Sequence, residues 1–251
     1  MTRSTRASAA AAIPAAQGTP EVAGAYHRSI ELTSPSPSEV AAELEDDFHH
    51  FRVWLGHDGE RVVTVGAEAV RYPWTTCPGA RAELLALVGV PLATDCTAIA
   101  RHLPARRNCT HMYDLAGLAL AHAGLRRPDR RYDIEVPDRD PDGRTRAVLL
   151  RDGVELLTWD LCWHEIEGPL PWRGAPLRRG FIAWVRANLD PEVAEAAIVL
   201  RRAVAISFGR MMDLDVYERA SELGETMLGT CYTFSPELIG AALRVKGSTR
   251  R

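Results

Sequence analysis

The chain has 251 residues, 46% of them apolar and 25% charged, with 30 basic against 33 acidic side chains and a formal charge of -3. That balance supplies a core for one large domain or two small ones, and it excludes the uniformly basic surface that binding to nucleic acid requires. The longest apolar runs, such as Ala194 to Leu200, fall far short of the roughly 20 residues that span a bilayer, so no membrane partner is expected.

Residues 1–24 are rich in Ala, Thr, Ser and Gly without periodicity and read as a disordered leader. From Tyr26 the segment HRSIEL reads as a short strand, SPSPSE as a turn, and Ser38 as the cap of a short helix through Leu44. Between Asp47 and Leu55 the two-residue period of a strand puts His49, Phe51, Val53 and Leu55 on one face and His50, Arg52 and Trp54 on the other. Gly56-His57-Asp58-Gly59 is a hairpin turn, and ERVVTVGAEAVRY is the return strand. Cys77-Pro78-Gly79 then opens a helix to about Val88, with Pro78 at the first helical position, where its missing N–H costs nothing. A second helix starts near Asn108, carries Cys109 in its first turn, and stops at Gly124 and Pro128.

The stretches RRYDIEVPD, TRAVLLRD and VELLTWDLCWHEI are separated by Asp-Pro-Asp-Gly and Arg-Asp-Gly and read as a β-meander. Beyond Phe181 the chain reads helical through IAWVRANL, PEVAEAAIVLRRAVAISFGR and DVYERASELGETML. Strands, helices, strands and then helices again indicate an α+β fold, an antiparallel sheet packed with helices. Residues 25–125 form the core that carries the site, and residues 126–251 add the meander and C-terminal helices, packed with the core as one unit.

Five cysteines, Cys77, Cys96, Cys109, Cys162 and Cys231, are an odd number in a chain too large to need stapling, so reduced thiols and a cytoplasmic location are expected. Lys246 is the sole lysine, which leaves no central Schiff-base candidate, and the arginine bias is that of a high-GC bacterial genome. No Walker A, GxGxxG, HExxH, GxSxG or CxxC pattern is present.

Thiols at helix starts tend toward the thiolate that binds metal, which singles out Cys77 and Cys109. His111 follows Cys109 by two residues, and His49 points to the core side of its strand. These four are the candidate metal ligands, with Asp47 or His50 supplying acid–base help. Buried apolar packing of the thiols is the plain alternative. Asp160, Cys162 and His164 share a strand face, where a Cys–His pair could act as nucleophile and base, and Cys231 beside Tyr232 could contact a ligand. The pairs Arg126/Arg127, Arg130/Arg131 and Arg178/Arg179 are solvated loop charge or grips for a carboxylate or phosphate.

The motifs DDFHHF, RYPWTTCPGA and NCTHMYDLAGLALAHA resemble the signature of a bacterial domain family of unknown function, over residues Tyr26 to Ser248. The hairpin, a Cys at one helix start and a second Cys opening a later helix also resemble the NifU-type iron–sulfur scaffold proteins. That resemblance implies a NifU-like core and places two of the scaffold's three cysteines on Cys77 and Cys109, with its aspartate on Asp47. Asn108 stands where the scaffold has a histidine, and Glu45, Asp46 and Asp47 hold no counterpart of its first cysteine. With His111 and His49 as replacements, the set suits zinc or a mononuclear iron better than an iron–sulfur cluster. The resulting expectation is a metal-dependent enzyme acting on a small, partly apolar organic substrate, with a metal or iron–sulfur carrier and a helper subunit with a structural metal as alternatives. Self-association into a homo-oligomer is left open.

Overall fold

The computed structural model describes residues 24–250, so the leader expected over residues 1–24 lies, apart from Gly24, outside the described residues. One eight-stranded antiparallel sheet organises them, in the order β4-β3-β2-β1-β5-β6-β7-β8. The strands are β1 (Ala25–Ser36), β2 (Glu39–Asp46), β3 (His50–His57), β4 (Val62–Arg71), β5 (Arg130–Pro137), β6 (Arg144–Arg151), β7 (Val154–Cys162) and β8 (Glu165–Gly168). The α+β expectation therefore holds. Two meanders, β1–β4 and β5–β8, run outward in opposite directions from the central β1–β5 pairing.

The two-residue period explains how one face becomes the core. Directly paired residues share a face, so Ile30 opposite Leu44, Leu44 opposite Phe51, and Ala147 opposite Trp159 extend a continuous buried surface across both meanders. The other face carries Glu31, Glu43, Arg52, Glu68, Arg131 and Asp133, several of them cross-strand ion pairs. Asp152 (φ 53°) and Gly153 (φ 80°) make the tight β6–β7 hairpin turn that the Asp-Gly pair anticipates.

The helices cover the apolar face. Helix α1 (Thr110–Leu125) is apolar nearly all round, which requires burial on every side, and it packs on β2 and β3 and against residues 96–101. A Cβ on Gly124 would lie 2.1 Å from the carbonyl oxygen of Ala93, so glycine here permits close approach of helix and loop. Arg126 ends the helix in the left-handed conformation at φ 49°, two residues beyond the expected stop. Helices α2 (Phe181–Asn188) and α3 (Pro191–Ser207) cover the second meander; Asp190 caps α3 by accepting from Glu192 N–H, and Pro191 occupies its first position.

Three local expectations are corrected. Residues 39–46 are strand β2, not a helix, because Val40, Ala42, Leu44 and Asp46 alternate into the core with period two. The segment opening at Cys77 is a 3-10 helix, Cys77–Leu87, with Thr76 at its N-cap position and Cys77 its first residue, not an α-helix with Cys77 at the cap. Residues 214–227 are short 3-10 turns, not a helix, broken by Gly224 at φ 86°. The NifU-like core has no independent support in this topology: β1, β5 and the second meander place the first hairpin inside a larger sheet.

Candidate metal centre

The connection from β2 to β3 is a turn built by one side chain. Asp46, the last residue of β2, accepts the backbone N–H groups of Phe48 and His49 on Oδ1, each at 2.8 Å, and its own N–H bonds to the carbonyl of His49 at 2.8 Å. Such a turn is the ordinary use of an Asp whose side chain imitates backbone. Arg71 of β4 closes over it, donating to the carbonyls of Asp46, Asp47 and His49.

The turn aims His49 inward. Its Nδ1 lies 3.0 Å from Asp46 Oδ1, and its ring packs over Phe51 at 5.8 Å. His111, in the first turn of α1, stacks on His49 with ring centroids 3.8 Å apart and planes inclined by 30°, and it lies over Phe51 as well, at 5.7 Å. One ligand atom each from Asp46, His49 and His111 lie within 4.8 Å of one another, with Asp46 and His111 buried. Among the described residues, Nε2 of His111 is buried without a hydrogen-bond partner.

The charge around this cluster is arranged by β1. Tyr26 donates its hydroxyl to Asp46 Oδ2 at 2.8 Å, and the buried Arg28 guanidinium donates to the same oxygen at 2.5 and 3.1 Å. Burial alone works to raise the pKa of Asp46, but the neighbouring His49 and Arg28 charges, the His49 hydrogen bond and His111 together hold it well below the carboxylate range. Burial, reinforced by His49 and Arg28, pushes His111 well below the ordinary imidazole value against the pull of Asp46. His111 is therefore neutral near pH 7, the form that ligates metal, and Arg28 is the cation that persists beside Asp46.

The sequence candidates separate. His49 and His111 come together; Cys77 and Cys109 are not in the group they form with Asp46. Cys77 Sγ lies 3.4 Å from Thr233 Oγ1, and Cys109 is the N-cap of α1 without a side-chain cap bond. The thiolate expectation is reversed at both: burial pushes the Cys77 thiol up to about 11 and raises that of Cys109 further, outweighing any helix-start effect. Asp47 is held 2.7 Å from Arg210 and accepts the N–H of His27. His50 lies on the open face, 2.5 Å from Glu43. Asp160 stays on that face near Arg146, but β7 ends at Cys162, so His164 leaves the shared row and stacks on Phe208 at 4.5 Å.

Asp46, Arg28 and Tyr26 are the residues that sequence reasoning missed. Arg28 sits between Tyr26 and Ile30 at the inward phase of β1, and a charged residue in that phase signals a buried partner.

Fold and site together define an α+β protein with a buried cluster of two histidines and a carboxylate behind one end of an open antiparallel sheet. Residues 4–126 match the model of a family described as protein of unknown function, DUF2889. This stretch contains β1–β4, α1 and all three cluster residues, and it ends well before Ser248, to which the motif resemblance extends. No curated protein matches the chain. No helix among the described residues is long and apolar enough to cross a membrane.

Proposed function

We propose that Asp46, His49 and His111 hold a divalent transition metal, zinc or mononuclear iron, in a metal-dependent enzyme acting on a small, partly apolar organic molecule. The observation that carries this reading is that His111, whose Nε2 is buried without a hydrogen-bond partner, brings a ring nitrogen within 4.8 Å of ligand atoms of Asp46 and His49. An imidazole nitrogen withdrawn from water without a partner costs on the order of 1–3 kcal/mol, and a metal bond would satisfy it. Two histidines and one carboxylate are the donor set of non-haem iron sites and of catalytic zinc sites with an open position.

The fit has a geometric condition. Imidazole binds metal in its ring plane, so two stacked rings cannot both reach one ion until one turns about its Cβ–Cγ bond, a soft torsion. The metal would supply Lewis acidity, polarising a carbonyl or activating water. The protein's own share is orientation: the Asp46 hydrogen bond fixes the ring of His49, Arg28 and Tyr26 fix Asp46, and Phe51 holds the stack against the sheet. A carrier role receives less support, because the cluster holds no cysteine and is largely buried, whereas a transferable cargo needs an exposed site.

A second reading needs no metal. Asp46 already accepts from Tyr26, Arg28, Phe48 and His49, which suits a carboxylate that orients His49 as a general base. Metal analysis of protein purified without added metal, and again after dialysis against zinc, decides between them. Near-stoichiometric metal, lost in His111→Ala, supports the centre. A metal-free protein that gains none on dialysis leaves the dyad reading.

A further inference from the structure

At the opposite end of the sheet, about 24 Å away at the usual strand spacing, the β7–β8 turn faces the segment 173–179 across a groove of about 1210 Å³. We infer that this groove binds an organic phosphate bearing a flat ring, a nucleotide-type ligand. The inference is independent of the metal centre.

The charge of the groove is the first argument. Arg144, Arg173, Arg178, Arg179 and His164 line it against Glu165 and Glu167, and Glu167 is neutralised by Arg144. Arg178 and Arg179 are exposed and make no side-chain ion pair among the described residues. Adjacent unpaired arginines on a chain of net charge -3 concentrate positive potential in one place, and the guanidinium fork matches phosphate oxygens.

A cationic backing extends behind the wall. The ring of Phe208 is stacked by His164 at 4.5 Å and by the Arg139 guanidinium at 3.7 Å. Arg139 donates Nη1 to Ser207 Oγ at 3.1 Å, while its Nε and Nη2 are buried without a partner. Asp138, the carboxylate with an electrostatic hold on Arg139, is also bridged by Arg210 at 2.5 and 2.8 Å. An under-compensated guanidinium beneath an arginine-lined groove adds to the field that an anion would neutralise.

The second argument is an aromatic platform. Trp163 lines the same groove with 42% of its surface exposed. Its indole lies against Gly143, where a Cβ would come within 2.2 Å of the ring. One side of the indole is therefore seated on backbone while the rest remains available, the arrangement that lets a base stack without sequence-specific contacts.

Isothermal titration of the full chain with ADP, and separately with pyrophosphate, tests this. ADP is expected to bind, Arg178→Ala/Arg179→Ala to weaken both ligands by at least about tenfold, and Trp163→Asn to weaken ADP by about tenfold while leaving pyrophosphate unchanged. Asparagine is chosen because position 163 has φ 50°, which Asn tolerates, and circular dichroism checks that each variant is folded. No ADP binding at millimolar concentration, or equal affinity in the double arginine variant, would overturn the proposal. So would tighter binding of a single-stranded oligonucleotide than of ADP, which would make the groove a nucleic-acid surface.

Discussion

His49 and His111 meet ring to ring, 3.8 Å between centroids, although 62 positions separate them in the chain (111 − 49). One ring is presented by a turn at a strand end and the other by the first turn of a buried helix. Their contact depends on Asp46, which shapes that turn and hydrogen-bonds His49.

Asp46 and His49 should therefore differ sharply when replaced. Asp46→Asn leaves the buried Arg28 guanidinium without its counter-charge, and breaking a buried pair in this way costs about 3–5 kcal/mol. His49→Phe keeps the stack and gives up mainly one hydrogen bond, about 1 kcal/mol. Urea denaturation of both variants measures this; equal losses would show that Arg28 finds another partner.

Glu195 ties α3 to β5 and to the segment that follows α1. This buried carboxylate accepts both oxygens' worth of contact from Arg127 Nη1 at 2.9 Å, together with the Tyr132 hydroxyl at 2.7 Å. Glu195→Ala should lower stability by about 1–3 kcal/mol, because the buried Tyr132 hydroxyl loses its acceptor while Arg127 keeps its ion pair with Glu192, and Glu225→Ala, on an exposed turn, should change it by less than about 0.5 kcal/mol. Thermal melts of the two variants check the contrast.

On the open sheet face, Trp54 lies over Gly66, where an added Cβ would meet the indole at 2.2 Å. Gly66→Ala should cost about 1–3 kcal/mol by overpacking, and most of that penalty should vanish in a Trp54→Ala background. A double-mutant cycle gives the coupling directly; additive effects would mean that the glycine is needed for its backbone alone.

Thiol labelling should follow burial. At pH 7 maleimide is expected to modify the part-exposed Cys162 first, with buried Cys77, Cys96 and Cys109 reacting only on unfolding. With its pKa pushed up to about 11, Cys77 carries about one thiolate in 10,000 at pH 7, and because the thiolate is the reactive form, its labelling should rise as the pH climbs toward that value. Peptide mass mapping over time reads the order. Labelling of Cys77 as fast as Cys162 at pH 7 would show that the segment opens readily.

Much of the fold is written in local pattern. The alternation of Phe51, Val53 and Leu55, the Asp152-Gly153 turn and the three segments of the second meander all appear as period and punctuation, because a strand with one buried face must repeat every two residues. The same period is present at residues 39–46, but Ser38 offers a competing helix cap that makes the strand read as a helix.

By itself, the sequence pointed His49 to the side of Phe51 by strand period and made His111 the opening of a buried apolar helix, although His49 lies in the turn just ahead of β3, where Asp46 rather than the strand directs it. Tertiary structure decided the company they keep. Arg28 and Tyr26 reach Asp46 through the β1–β2 register, Arg71 arrives from β4, and Arg210 closes on Asp47 from beyond α3. It also withdrew Cys77 and Cys109 into apolar packing, where burial outweighs any helix-start effect. A buried charge is stable only beside a partner, and that partner is chosen by which strands and helices lie adjacent, a relation that spacing along one chain does not encode.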